Sequence, residues 1–274
     1  MTSEQTEPSS PVRVEVADGV ATVTLADEAN RNAMGRRMVA GLLDALAAAN
    51  ADPAVRVVVL TNEGRIFSAG ADLSEQSAGG DPAGSEDEPG GEAAAGRGFE
   101  DLLRAILDSP TPVVGRIDGH AVGGGVGLVA ACDIAIARDD VLLGFTEVRV
   151  GVIPAMISVV CLPKMRRADA LEVFLRGNRF PASRAAELGL VTRAVPAGEL
   201  DDAVAEVVAD LRLGAPRALA EAKRLVYEVP GMPVDEALRD TAERSARLFA
   251  GEEAAEGMAA FLAKRRPAWA PPGD

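Results

Sequence analysis

The tightest constraint on the fold lies at residues 119–137, GHAVGGGVGLVAACDIAIA, where three consecutive glycines and a fourth one residue later open an apolar run that ends in a strand-like DIAIA. Gly125, Gly127 and Ala130 satisfy G-x-G-x-x-A, the pattern of a dinucleotide-binding turn. The next strand begins at Asp133, however, and leaves fewer than ten residues for a helix, whereas a βαβ crossover needs at least about 10 to 12. A GxxxxGK[ST] phosphate loop is excluded because no Lys-Ser or Lys-Thr follows. Two readings remain. Small residues let a short helix approach a sheet, or a glycine at a helix N-terminus leaves an N–H free to meet developing negative charge, reinforced by the helix dipole. The second reading needs another donor, and IFSAGADLSE, residues 66–75, offers one on a loop of small residues.

The flanking segments read as alternating strands and helices, hence the α/β class. VRVEV and VATVTL around ADG predict a hairpin. MGRRMVAGLLDALAAANAD places Met38, Leu42, Leu43 and Leu46 at helical spacing, and Pro53 closes it. VRVVVLTNE is continuously apolar, as in a strand buried on both faces. FEDLLRAILDS predicts a helix and PTPVVGRIDG a strand. Residues 1–10 are expected to be a disordered tail, and residues 74–98, dense in Gly, Pro, Ser and acids, a mobile surface loop able to act as a lid. After about residue 164 the chain turns mostly helical, with MRRADALEVFLRG, PASRAAELG, one short strand VTRAV, and three or four further helices. A boundary near Pro196 divides a core, 11–196, from a helical region, 197–274. No fixed-period repeat is visible.

Lys and Arg total 28 against 42 Asp and Glu, a net charge of −14 that opposes binding to nucleic acid or an anionic membrane. Aromatic content of 3% leaves little for base-stacking platforms. Cys132 and Cys161 lie in apolar runs without CxxC spacing and read as reduced core residues, which points to the cytoplasm. The N-terminal MTSEQTEPSSP lacks a basic and an apolar region, and no segment approaches the roughly 18 apolar residues of a membrane helix.

F-S-A-G-A-D-L and G-H-A-V-G-G-G, followed by C-D-I-A-I-A, together resemble the crotonase superfamily of enoyl-CoA hydratases and isomerases. The resemblance continues through N-A-M (Asn32 to Met34), F-T-E-V-R-V-G-V-I-P (Phe145 to Pro154), A-A-E-L-G-L-V-T-R-A-V (Ala185 to Val195) and G-M-A-A-F-L-A-K-R-R-P (Gly257 to Pro267), nearly the whole chain. It implies a spiral of ββα units with a C-terminal helical region that assembles a homotrimer or a dimer of trimers. It also implies an acyl-CoA thioester substrate whose carbonyl oxygen is held by the N–H groups of Ala71 and Gly124. Ala33, Ala69, Gly70, Asp72, Leu73 and Gly123 would line the substrate, and Lys264 would reach a CoA phosphate, often across a subunit boundary. CoA is part of the substrate, and neither a separate cofactor nor a metal is implied.

Two preorganised backbone donors suit a thioester that becomes an enolate, each supplying on the order of 2.7–4 kcal/mol. Hydratases of the family place two glutamates on the substrate. One is present here as Glu147, and Gly127 occupies the position of the other. A-M-I-S-V-V after Pro154 departs from the family's G-G-x-T run and resembles a branch called enoyl-CoA hydratases and methylglutaconyl-CoA hydratase-like proteins. The first expectation is hydration of a 2-enoyl-CoA in fatty-acid or branched-acyl catabolism, with Glu147 donating the proton to carbon 2. The alternatives are Δ3,Δ2-enoyl-CoA isomerisation by one carboxylate and a catalytically weak acyl-CoA-binding protein. Taken without the motif, Glu147 reads as a surface partner of Arg149. Asp72 and Asp133 read as backbone caps, Glu75 as an acid able to swing inward, and His120 as structural.

Overall fold

The computed structural model describes residues 10–72 and 97–271. The expected N-terminal tail, apart from Ser10, and all of the expected loop except residues 97 and 98 lie outside the described residues. β1 (Val12–Ala17) and β2 (Val20–Leu25) pair antiparallel as the hairpin. Asp18 and Gly19 both take left-handed φ, 50° and 75°, as a two-residue I′ turn requires. Helix α1 (Arg36–Ala51) buries Met38, Val39, Leu42, Ala45, Leu46 and Ala49 along one stripe. β3 (Val57–Asn62) is buried at every position.

From β3 onward one unit recurs three times. β3 and β4 (Ile66–Ser68) lead to α2 (Phe99–Asp108), β5 (Val113–Ile117) and β6 (His120–Val122) to α3 (Gly124–Ala131), and β7 (Ile134–Arg138) and β8 (Leu142–Gly144) to α4 (Ala155–Cys161). Then come α5 (Arg167–Arg176), β9 (Arg179–Pro181), α6 (Ala182–Glu187) and β10 (Arg193–Val195). The first strand of each unit joins a six-stranded sheet ordered β1-β2-β3-β5-β7-β10, and the second joins a four-stranded sheet ordered β4-β6-β8-β9. This is the spiral of ββα units that the family resemblance implies. It leaves no sequence repeat because each unit packs different neighbours with different side chains.

Alternate residues of β3 and β5 face opposite layers. Val58, Leu60, Val113 and Ile117 join the core under α1, α2 and α3, where Phe67, Leu102, Ile106 and Leu128 are fully buried. On the other face Val57, Val59 and Val114 meet Leu200, Val204 and Val208 of α7 (Leu200–Leu213), which shares this second core with the sheet. Helices α8 (Pro216–Glu228), α9 (Val234–Phe249) and α10 (Glu252–Leu262) bury little, and Val226, Leu238, Phe249, Phe261 and Leu262 on them are exposed.

Two polar ties hold this end to the core. Lys223 of α8 donates to the Ile106 carbonyl at 2.7 Å and to Asp133 at 2.9 Å. Asp133 also accepts the Val113 N–H at 2.8 Å, the capping role expected of it. Removing one partner of such a buried pair costs about 3–5 kcal/mol. The Arg56 guanidinium donates to the carbonyls of Gly214 and Trp269 at 2.7 and 2.8 Å. Cys132 and Cys161 are buried and unbridged, with thiol pKa values pushed up to about 12 by burial. No helix of the described residues is long and apolar enough to cross a membrane.

Candidate active site

β4 and β6 run parallel as neighbours, so the chain leaving each at Ala69–Ala71 and at Gly123–Gly124 emerges on the same edge. The segment 31–34 braces the first exit: Arg31 accepts the Ala69 N–H at 3.0 Å, and Gly70 accepts the Met34 N–H at 2.8 Å. That segment is held in turn by Asn32, which is fully buried. Its amide donates to the Ile66 carbonyl at 2.8 Å and accepts the Asp27 N–H at 2.8 Å.

Gly70 has φ +84°, and a Cβ on it would lie 2.8 Å from the Val122 carbonyl oxygen and 3.1 Å from the Gly124 nitrogen. Only glycine brings these two exits so close. Gly123, at φ +54°, turns the chain into α3, whose first residue is Gly124. A Cβ on Gly124 would sit 3.7 Å from the Ala71 nitrogen. Neither the Ala71 nor the Gly124 N–H donates to a backbone acceptor among the described residues. For Gly124 this follows from its place in the first turn, where helix amides lack internal partners. Two amides without a backbone acceptor at adjoining exits make a backbone cradle of the kind that can receive a negatively charged oxygen.

One strand further, β8 leads into Phe145, fully buried against Phe174 with ring centroids 4.3 Å apart. That anchor sets the start of a tight turn, Glu147–Val150. The Glu147 Oε1 lies 3.3 Å from where a Gly123 Cβ would be, so its carboxylate borders the cradle. Its Oε2 is buried without a hydrogen-bond partner, and burial holds the carboxyl above the usual glutamate range. Arg149 is not its partner; that guanidinium donates to the Arg176 carbonyl at 3.4 Å.

Cradle and carboxylate open into one cavity of about 910 Å³. Ala69, Gly70, Ala71, Gly123, Gly124 and Glu147 all line it, joined by Met34, Phe99, Thr146 and Ile157. Ala33 adjoins this lining without being part of it. Asp72 follows Ala71 outside the lining, and Leu73 and Glu75 lie outside the described residues. Lys264, exposed just beyond α10 at φ 53°, does not line the cavity of its own chain. His120 accepts the Leu142 N–H on Nδ1 at 2.9 Å, joining β6 to β8. Burial and then the charges of Arg179 and Arg65 lower its pKa, which suits a neutral structural ring.

Gly127, where the family resemblance implies a glutamate, has no room for a side chain. A Cβ there would lie 2.7 Å from the Cβ of Ile157 and nearer still to its Cγ2. Ile157 belongs to α4, the segment A-M-I-S-V-V, so the two departures from the family pattern form a single packed contact. Sequence reasoning flagged both stretches without joining them, and it missed Asn178 and Arg179, which line the cavity's far end.

The enoyl-CoA hydratase/isomerase family model matches residues 15–272. The chain belongs to the enoyl-CoA hydratase/isomerase family. A Thermus thermophilus protein, named provisionally as an enoyl-CoA hydratase, is 35% identical over 93% of this chain and 99% of its own length. The crystal structure of a Marinobacter aquaeolei enoyl-CoA hydratase/isomerase superposes with a TM-score of 0.86 at 31% identity, covering 95% of this chain and 99% of that one. That of a Mycobacterium smegmatis enoyl-CoA hydratase gives 0.82 at 32%, covering 96% and 99%. In this chain the cavity lining brings Ala71, Gly124 and Glu147 together.

Proposed function

We propose that the cavity binds an acyl-CoA thioester and that Glu147 moves a proton along its acyl group, converting a 3-enoyl-CoA to the 2-enoyl-CoA. The observation that carries this reading is the contact of Gly127 with Ile157. It fills the space of the family's other glutamate with an aliphatic side chain, and Glu147 is the one carboxylate among the described residues lining the cavity.

In this reading the thioester oxygen accepts the N–H groups of Ala71 and Gly124. Glu147 takes a proton from carbon 2. The electron pair of that C–H bond spreads into the dienolate, and the negative oxygen is stabilised by the two amides. Glu147 then returns the proton to carbon 4, leaving the double bond between carbons 2 and 3. A carboxyl with a raised pKa suits both halves of this shuttle, because it is a stronger base when ionised and remains an acid after protonation. CoA enters as part of the substrate, and no further cofactor is assigned.

Hydration of a 2-enoyl-CoA is the second reading, favoured by the names of the relatives. It requires a water placed for attack on carbon 3, for which Thr146 and Asn178 supply polar groups in the lining. A mere acyl-CoA-binding role is disfavoured because a partnerless buried carboxylate oxygen destabilises a fold that has no chemical use for it. The exposed apolar side chains of α8, α9 and α10 support a trimer or dimer of trimers, in which Lys264 would serve a neighbour's CoA.

The test offers purified protein crotonyl-CoA and hex-3-enoyl-CoA in parallel, with products separated. Conversion of the 3-enoyl to the 2-enoyl thioester is expected to dominate. Rapid hydration of crotonyl-CoA without isomerisation would establish the second reading instead.

A further inference from the structure

The four-stranded sheet arranges the cavity in order. The oxyanion cradle lies at the ends of β4 and β6, Glu147 follows β8, and β9 starts with Arg179 opposite Gly144. Neighbouring strands are spaced about 4.8 Å apart, which puts β9 roughly 10 Å from β6 on the side away from β4. With the thioester oxygen on Ala71 and Gly124 and the reacting carbons at Glu147, whatever reaches β9 is the far end of the acyl group.

That far end is charged. Arg149 and Arg179 are the cations among the described residues lining the cavity. The chain is acidic, with net charge −14, and Arg116, Arg138 and Arg184 are each held by at least two carboxylates. Arg149 and Arg179, both exposed at the cavity, form no ion pair among the described residues. Asn178, also in the lining and next to Arg179 in the chain, donates its amide to the Arg179 carbonyl at 3.2 Å and leaves its buried amide oxygen without a partner. Val152, Ile153 and Met156 make the rest of this wall apolar. A short aliphatic chain with an anionic terminus would satisfy both the apolar wall and the unpaired guanidinium groups, whose fork geometry matches a carboxylate.

We propose that the preferred substrate is an acyl-CoA whose acyl group ends in a carboxylate, bound by Arg179 with Arg149. This rests on the acyl-CoA reading of the cavity. It does not depend on which reaction follows.

The test compares two matched pairs. Turnover is measured with hex-3-enoyl-CoA and its ω-carboxylated counterpart, hex-3-enedioyl-CoA. Binding is measured by calorimetry with the saturated hexanoyl-CoA and adipoyl-CoA, in wild type, Arg179→Gln and the Arg149→Gln/Arg179→Gln pair. Charge-assisted hydrogen bonds of this kind correspond to about tenfold or more in affinity. Wild type is therefore expected to favour the carboxylated member about tenfold in both kcat/KM and Kd. Arg179→Gln should reduce that ratio, the double variant should bring it near one, and Arg179→Lys should retain part of it. A ratio near or below one in folded wild type, or a ratio unmoved by both variants, overturns the proposal. If neither enoyl thioester reacts while adipoyl-CoA still binds more tightly than hexanoyl-CoA, the substrate class stands and the isomerase reading fails. Equal binding of hexanoyl-CoA and adipoyl-CoA, with equal isomerisation of the two enoyl thioesters, sinks the substrate class and leaves the isomerase reading standing.

Discussion

At its β4–β6 end the cavity is bounded by backbone: Ala71 and Gly124 offer amides, Gly70 and Gly123 donate theirs to the Ser68 hydroxyl and the Gly144 carbonyl, and none of the four brings a functional side chain. At its β8–β9 end it is bounded by side chains: Glu147, Ile157, Arg149 and Arg179. The first end can be built in few ways, because two chain exits must nearly touch and a Cβ on Gly70 would meet the Val122 carbonyl at 2.8 Å. The second end admits exchange of side chains on the same frame. Gly127 and Ile157 fit such an exchange: where the family resemblance implies a carboxylate, this chain has an aliphatic contact. On the proposed function, the chemistry common to the family belongs to the backbone end, and the choice of reaction and substrate to the side-chain end.

The hardest blow to this division is Gly70→Val. The new side chain cannot adopt φ +84° without strain and must displace the Gly124 amide. Loss of about 10²–10³ in kcat is expected, in line with removal of one oxyanion donor, with circular dichroism confirming a folded protein. A folded Gly70→Val protein with near-normal turnover would place the oxyanion elsewhere.

A milder intervention works on the other end. Gly127→Glu alone is expected to lower stability by about 1–3 kcal/mol, since it overpacks against Ile157. Combined with Ile157→Gly it should recover much of that stability and gain a second carboxylate near Glu147. Two carboxylates at close range split their pKa values into one acid and one base, so the ratio of hydration to isomerisation should rise at least about tenfold. An unchanged ratio in a folded, substrate-binding double variant would mean that the Gly127–Ile157 contact does not select the reaction.

The smallest expected effect concerns pH. Burial raises the Glu147 pKa above its unfolded value. The folded state therefore binds more protons than the unfolded state between those two values, and stability falls as pH rises through that window. Glu147→Gln removes this linkage. Its melting temperature should exceed that of wild type at neutral pH, with the difference shrinking as pH falls below the ordinary glutamate range. In wild type, kcat/KM for isomerisation should rise with pH through a value above that range. A variant less stable than wild type at neutral pH would assign Glu147 a structural role.

How much was legible in the sequence follows the same division. That Ala71 and Gly124 lie together on the cavity was legible through the family resemblance carried by F-S-A-G-A-D-L and G-H-A-V-G-G-G, and the short α3 through the spacing between the glycines and DIAIA. Glu147 was legible through F-T-E, but its separation from Arg149 was not, because the direction of a side chain leaving a tight turn depends on the anchor at Phe145. The Gly127–Ile157 contact spans thirty residues of chain and unites two helices that only the packed fold brings together. Arg179 was missed for a similar reason: a lone arginine in a three-residue strand carries no pattern until the sheet order places it beyond Glu147. The three ββα units were hidden because their likeness lies in strand order and not in residues.

In the proposed reaction one carboxylate, Glu147, performs the proton transfer on a substrate held by backbone amides. The most direct measurement is the kcat of Glu147→Gln for hex-3-enoyl-CoA, taken with the Kd for hexanoyl-CoA on the same preparation. The amide keeps the shape of the side chain and cannot carry the proton, so turnover should fall by at least about 10²-fold while Kd stays within a few-fold of wild type. Turnover within a few-fold of wild type, with binding intact, would contradict the account and assign the proton to another group.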